Sequence, residues 1–152
     1  MDTDERRTWQ LRDPAVLLTE IHDAHGFRIG ASLLALVDDA PRTQLLRCCT
    51  PFELPADTPW SDVERLTGQE ALQRLGLEKW GKPRDPKTWP TVVPVITRTG
   101  RCVARRGDLA ITQYFRYVNG FDAFIGNPLL VTPFGWCDLL EKFGGTEPRC
   151  RA

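Results

Sequence analysis

Apolar positions recur along this chain in two alternating rhythms, one helical and one extended. The first helix is predicted from Pro14 onward: Asp13 can cap, Pro14 suits the first helical position, and Gly26 stands where a left-handed residue closes a helix. Leu17, Leu18, Ile21 and Ala24 form its expected apolar face. Residues 27 to 37 then read as a strand and 43 to 50 as its antiparallel neighbour, joined by a polar turn containing Asp38, Asp39 and Pro41. Because 33 to 37 are apolar without interruption, that strand is expected to be covered on both faces.

A second helix is predicted over 61 to 75. Ser61 and Glu64 form a capping box, Val63, Leu66, Leu72 and Leu75 supply a buried stripe, and Gly76 ends the pattern, with Gly68 a weak point inside it. Residues 78 to 90 hold three Pro and two Trp and read as an ordered connector. A strand at Thr91 to Thr97 follows, compatible with Pro94 only at an edge or bulge. Asp108 is expected to cap a helix whose Ile111, Tyr114, Phe115 and Val118 keep the clearest helical period in the chain, closed by Asn119-Gly120. A strand from Leu129 to Thr132 and a short helix from Asp138 to Phe143 complete the pattern, with 1–11 and 144–152 as loose termini. The class is therefore α+β or mixed α/β, a single compact domain with an antiparallel hairpin early and a strand-helix-strand unit late.

Composition narrows the function classes. The chain has 152 residues, 41% hydrophobic and 26% charged, which suits one globular domain and excludes collagenous or wholly disordered chains. Its longest apolar run, within Ala31 to Val37, is far below the roughly 20 residues that cross a bilayer. The start, MDTDERRTWQ, lacks the apolar core of a signal peptide, so the expected setting is soluble and cytoplasmic, away from membranes. Charge sums to zero from 20 basic and 20 acidic residues, yet unevenly. Residues 1–78 carry 8 basic and 14 acidic side chains, 79–118 carry 9 and 2, and 119–152 carry 3 and 4.

That basic segment is the first candidate for function. Lys79, Trp80, Lys82, Arg84, Trp89, Arg98, Arg101, Arg105 and Arg106 interleave cations with aromatics, a combination suited to an acidic protein surface or to phosphates and bases. Set against this, the same cations can pair internally with the acidic first half. Near-neutral overall charge favours that internal pairing over a nucleic-acid site. The leading reading is a small binding or regulatory protein without an evident catalytic site that uses no cofactor. The alternatives are a nucleic-acid-binding protein and an enzyme acting on a phosphate- or carboxylate-bearing small substrate through Cys102 or His22/His25.

The chemistry behind the enzyme alternative is sparse. His22 and His25 share a helix face, but zinc needs a third ligand and the motif is not His-Glu-x-x-His. Cationic imidazoles at a helix end also complement the dipole. The five cysteines contain no Cys-x-x-Cys pair, and an odd number without a signal peptide fits reduced thiols. Cys102 lies among Arg101, Arg105 and Arg106, which favours a thiolate, but neither His is close in sequence to serve as its base. The phosphatase pattern Cys-x5-Arg is not met, since Asp108 stands at the Arg position. Arg106-Gly107-Asp108 is read as a helix start and Asp38-Asp39 as turn residues.

In element order, residues 31 to 135 resemble the JAB/MPN-type metalloprotease domain, in which a strand ends in His-x-His and Ser-x-x-Asp opens the next helix. With Asp108 at the family Asp, Val95 and Thr97 occupy the His positions and Arg105 the Ser. Three of the four motif residues are absent, so the resemblance implies at most an inactive scaffold used for binding and carries over no zinc chemistry.

Overall fold

The computed structural model describes residues 11, 13–38, 44–52, 69–77, 85, 88–105, 108 and 118–150. The hairpin residues 39–43, the capping box of the second helix with Val63, Leu66 and Gly68, and the helical period through Ile111, Tyr114 and Phe115 lie outside them.

Helix α1 spans Pro14–His25. The Asp13 carboxylate accepts from the Val16 N–H at 3.2 Å, satisfying one of the donors a helix start leaves open, and Gly26, at φ 71°, donates back to the His22 carbonyl. Leu17, Leu18 and Ile21 are buried, whereas Ala24, expected on the same face, is exposed. The chain turns at Gly26, and Phe27 extends the buried face in place of Ala24. A further turn delays the first strand: Ala31 donates to the Arg28 carbonyl and Gly30 takes φ 82°. Strand β1 therefore covers Leu33–Asp38 and not the whole of 27 to 37.

Strand β2, Leu45–Pro51, pairs antiparallel with β1 as the pattern predicts. The register slips between Leu36 and Val37, where Arg47 is the extra residue of a bulge on β2. Strand β3, Thr91–Thr97, joins the other side of β1, also antiparallel. Strands β4, Phe124–Ile125, and β5, Leu129–Thr132, both run parallel to β3, and β6, Gly135–Asp138, and β7, Gly144–Gly145, continue from β5 as an antiparallel meander. The order across the sheet is β2-β1-β3-β5-β6-β7, with β4 beside β3. Together with the helices this is one compact α+β fold with a mixed seven-stranded sheet.

Alternation along the strands sorts the core into two layers. Leu33, Ala35, Val37, Val93, Val95, Leu129 and Val131 pack beneath α1 with Leu17, Leu18 and Ile21. Leu34, Leu36, Val92, Ile96 and Leu130 face the opposite way, against Leu72, Leu75, Val118 and Phe121. Coverage on both faces thus follows from the uninterrupted apolar run of β1. Residues 69–74 are helical and end in a Schellman motif: Gly76, at φ 88°, donates to the Gln73 carbonyl while Leu77 donates to that of Leu72.

Three expectations change. Pro94 lies in a central strand, not at an edge. The Val92 carbonyl accepts from Gly126, so Val92 and Pro94 both turn their backbone toward the β4–β5 side, and the missing N–H of Pro94 falls in the break between those two short strands. Residues 138 to 143 form a turn and not a helix. Asp138 binds the N–H groups of Leu140 and Glu141 with one carboxylate oxygen, and Lys142 takes φ 60°, which bends the chain back into β7. The tail expected to be loose from 144 is ordered to Cys150, whose side chain is buried and whose N–H donates to the Thr132 carbonyl.

Candidate partner-binding site

The loop leaving the carboxyl end of β3 is organised by one side chain. Arg98 has five N–H donors, and each finds an acceptor. Its Nε and Nη2 donate to the two Asp108 carboxylate oxygens at 2.9 and 2.7 Å, Nη1 to the carbonyls of Thr99 and Arg101, and Nη2 also to that of Val103. The pair is largely buried, with side-chain exposures of 18% for Arg98 and 6% for Asp108. Hydrogen bonding to Asp108 raises the Arg98 pKa further, against the opposing effect of burial. Asp108 also accepts from the Arg105 N–H at 2.9 Å. It is itself helical, so its carboxylate reaches back across the first turn and does not occupy the cap position expected for it.

This arrangement takes Arg98 out of the set available to a partner. Arg101 and Arg105 differ: both are exposed, and among the described residues neither guanidinium has an ionic or hydrogen-bonding partner. Gly100, at φ 93°, keeps the loop close: a Cβ there would stand 2.6 Å from Arg105 Nη2, so that guanidinium lies across the glycine. Trp89 is half-buried and packs on Phe124 with ring centroids 5.1 Å apart. Lys79, Trp80, Lys82, Arg84 and Arg106 lie outside the described residues.

Two exposed apolar side chains escaped the charge pattern, Val103 within the loop and Phe134 in the connection between β5 and β6. Val103 is 62% exposed and Phe134 67%. Phe134 forms, with Pro133, the two-residue connection between β5 and β6. A Thr-Pro-Phe-Gly stretch between two apolar runs is the sequence signal that could have revealed it, because the tip of a tight hairpin has no core to enter.

The residues of the enzyme alternative are kept apart. Cys102 packs on the sheet face opposite α1, and its Sγ shares a hydrogen bond with Thr132 Oγ1 at 3.1 Å. His22 belongs to α1 on the other side of the sheet, with its Nδ1 3.7 Å from an Asp23 oxygen and its ring 5.6 Å from that of Phe27. With Thr19, Pro133, Glu147, Pro148, Arg149 and Cys150 it lines an open groove of about 600 Å³, while His25 is exposed. Burial pushes the thiols of Cys49, Cys137 and Cys150 up to about 11 and raises that of Cys48. These four are poor nucleophiles.

At the positions suggested by the metalloprotease resemblance, Val95 is buried beneath α1, Thr97 donates to the Arg28 carbonyl, and Asp108 is engaged by Arg98 and Arg105. Among the described residues, no three His, Cys, Asp or Glu side chains are grouped to hold a metal, and no helix is long and apolar enough to cross a membrane. No protein family, curated protein or solved structure matches the chain.

Proposed function

We propose that this chain is a small binding or regulatory protein that engages an acidic protein partner through the loop between β3 and Asp108. The observation that carries this reading is the division of labour among three arginines. Arg98 is consumed in holding the loop, while Arg101 and Arg105 are exposed and unpaired among the described residues. A guanidinium presented on a braced loop loses less conformational freedom when it meets a carboxylate, which favours association. A reducing, cytoplasmic setting is part of the proposal, supported by five free cysteines, two of them buried as small hydrophobes.

Salt titration of binding to polyglutamate, beside generic DNA and RNA, is the direct test. The expected result is polyglutamate binding that weakens moderately with salt and is lost in an Arg101→Ala/Arg105→Ala variant. A steeper salt dependence on nucleic acid, with no binding to polyglutamate, would transfer the site to the nucleic-acid class.

A further inference from the structure

We infer that the groove between α1 and the C-terminal tail is a binding site for a free α-amino acid with a large apolar side chain. It shares no lining residue with the β3 loop, so the inference stands apart from the acidic-partner reading. Thr19 and His22 of α1 line one opening of about 600 Å³ together with Pro133 and the tail from Glu147 to Cys150. That volume lies within the range of small-molecule sites.

Both walls are fixed by the fold. In the tail, the Glu147 carbonyl accepts the Trp136 indole N–H at 2.9 Å, and the Cys150 N–H donates to the Thr132 carbonyl at 3.0 Å. On α1, the His22 ring rests against Phe27 with centroids 5.6 Å apart. Two polar groups of the lining are already spent inside the protein: Cys150 Sγ donates to the Val131 carbonyl at 3.5 Å and Thr19 Oγ1 to the Ala15 carbonyl at 2.8 Å. Pro133 and Pro148 are half-buried and Cys150 is buried. The less exposed part of the lining is therefore apolar.

What this surface offers a ligand besides apolar contact is one ion pair. Arg149 Nε lies 3.1 Å from Glu147 Oε1, which uses one of five guanidinium donors and one of two carboxylate oxygens. A bare anion gains Arg149 but stands against Glu147, and a bare cation meets the reverse. An α-amino acid carries ammonium and carboxylate on one carbon, so it can lie head to tail along this pair with each charge beside its opposite. The two ends of a peptide are further apart and answer the pair less well. Both protein side chains are more than half exposed, at 57% and 67%, so the charges orient the ligand and contribute modestly to affinity. Burial of the ligand's apolar side chain supplies most of it.

The experiment is isothermal titration calorimetry of the full chain with L-leucine, glycine, isocaproate and isoamylamine. Leucine is expected to saturate the site with a Kd on the order of 1 mM or below. Glycine, which lacks the side chain, should bind at least about 10-fold more weakly. Isocaproate and isoamylamine, each missing one charge, should bind at least about 3-fold more weakly. Glu147→Gln should remove the preference over isocaproate and Arg149→Met the preference over isoamylamine. If those variants disturb the tail, Thr19→Trp, at an exposed helix position, fills the groove from α1 and should abolish leucine binding with the thermal midpoint unchanged. Absence of saturation by about 10 mM leucine overturns the site. Equal binding of leucine and isocaproate overturns the zwitterion in favour of a simple anion, and leucine binding that survives Thr19→Trp places the ligand elsewhere and overturns the proposal.

Discussion

Arg98 and Asp108 face each other across ten residues as a two-point ion pair, with Nε to Oδ1 at 2.9 Å and Nη2 to Oδ2 at 2.7 Å, and the same guanidinium binds three backbone carbonyls. Removing either partner leaves the other charge largely buried without its counterpart. Arg98→Ala or Asp108→Ala is therefore expected to cost about 3 kcal/mol or more in chemical denaturation. Arg98→Lys should recover little of this, because an ammonium group has three donors where five are used. A loss below about 1 kcal/mol for both alanine variants would show that the pair does not hold the loop.

Charge reversal on the exposed arginines should separate function from folding. Arg101→Glu/Arg105→Glu is expected to change unfolding free energy by no more than about 0.5 kcal/mol per site, as for surface positions without partners. Binding to an acidic peptide should disappear in the same variant. Loss of the fold, seen as a lowered thermal midpoint, would mean that these side chains brace the loop as Arg98 does.

The β6–β7 pairing depends on glycine for space. A Cβ on Gly144 would sit 2.0 Å from the Trp136 carbonyl oxygen, so the backbones must part to accept any side chain. Gly144→Ala is expected to destabilise by about 1–3 kcal/mol, the usual scale of overpacking. Trp136 donates its indole N–H to the Glu147 carbonyl at 2.9 Å, so its fluorescence should report the same opening.

Alkaline stability should reflect the raised thiols. Cys49, Cys137 and Cys150 titrate at about 11 in the folded chain. In the unfolded chain they titrate near ~8.5. Below the lower value both states are protonated and the contribution is fully present; between the two, the unfolded chain binds fewer protons, so stability falls as pH rises. Denaturation midpoints measured from pH 8 to pH 11 should decline, and less steeply in a Cys137→Ala/Cys150→Ala variant when each is compared with its own value at pH 8. Equal slopes would remove the thiols as the cause.

Much of the scaffold is legible in local sequence because its signals are short-range. Asp13-Pro14 and Gly26 delimit α1 through the capping needs of a helix, and Leu129 to Thr132 is predicted to the residue. Other assignments failed where distant chain decides the outcome. Pro94 argued for an edge, but the break between β4 and β5 accommodates it in the middle of the sheet. Asp138 to Phe143 has helical composition, yet pairing of β7 with β6 makes it a turn. The basic segment proposed to bind was legible as a count of charges and not as a surface. Nothing local distinguishes Arg98 from Arg101, because the difference lies in which guanidinium reaches Asp108.

By itself the sequence determined the alternation of apolar positions, and with it a two-faced sheet, the helix boundaries at Asp13 and Gly76, and the concentration of positive charge after Glu78. Tertiary structure alone decided which of the described cations are neutralised and that Cys102 and His22 stand on opposite sides of the sheet. The physical reason is range. Helical caps and strand alternation act over a few residues, whereas ion pairing, thiol environment and surface patches depend on side chains that only folding makes neighbours.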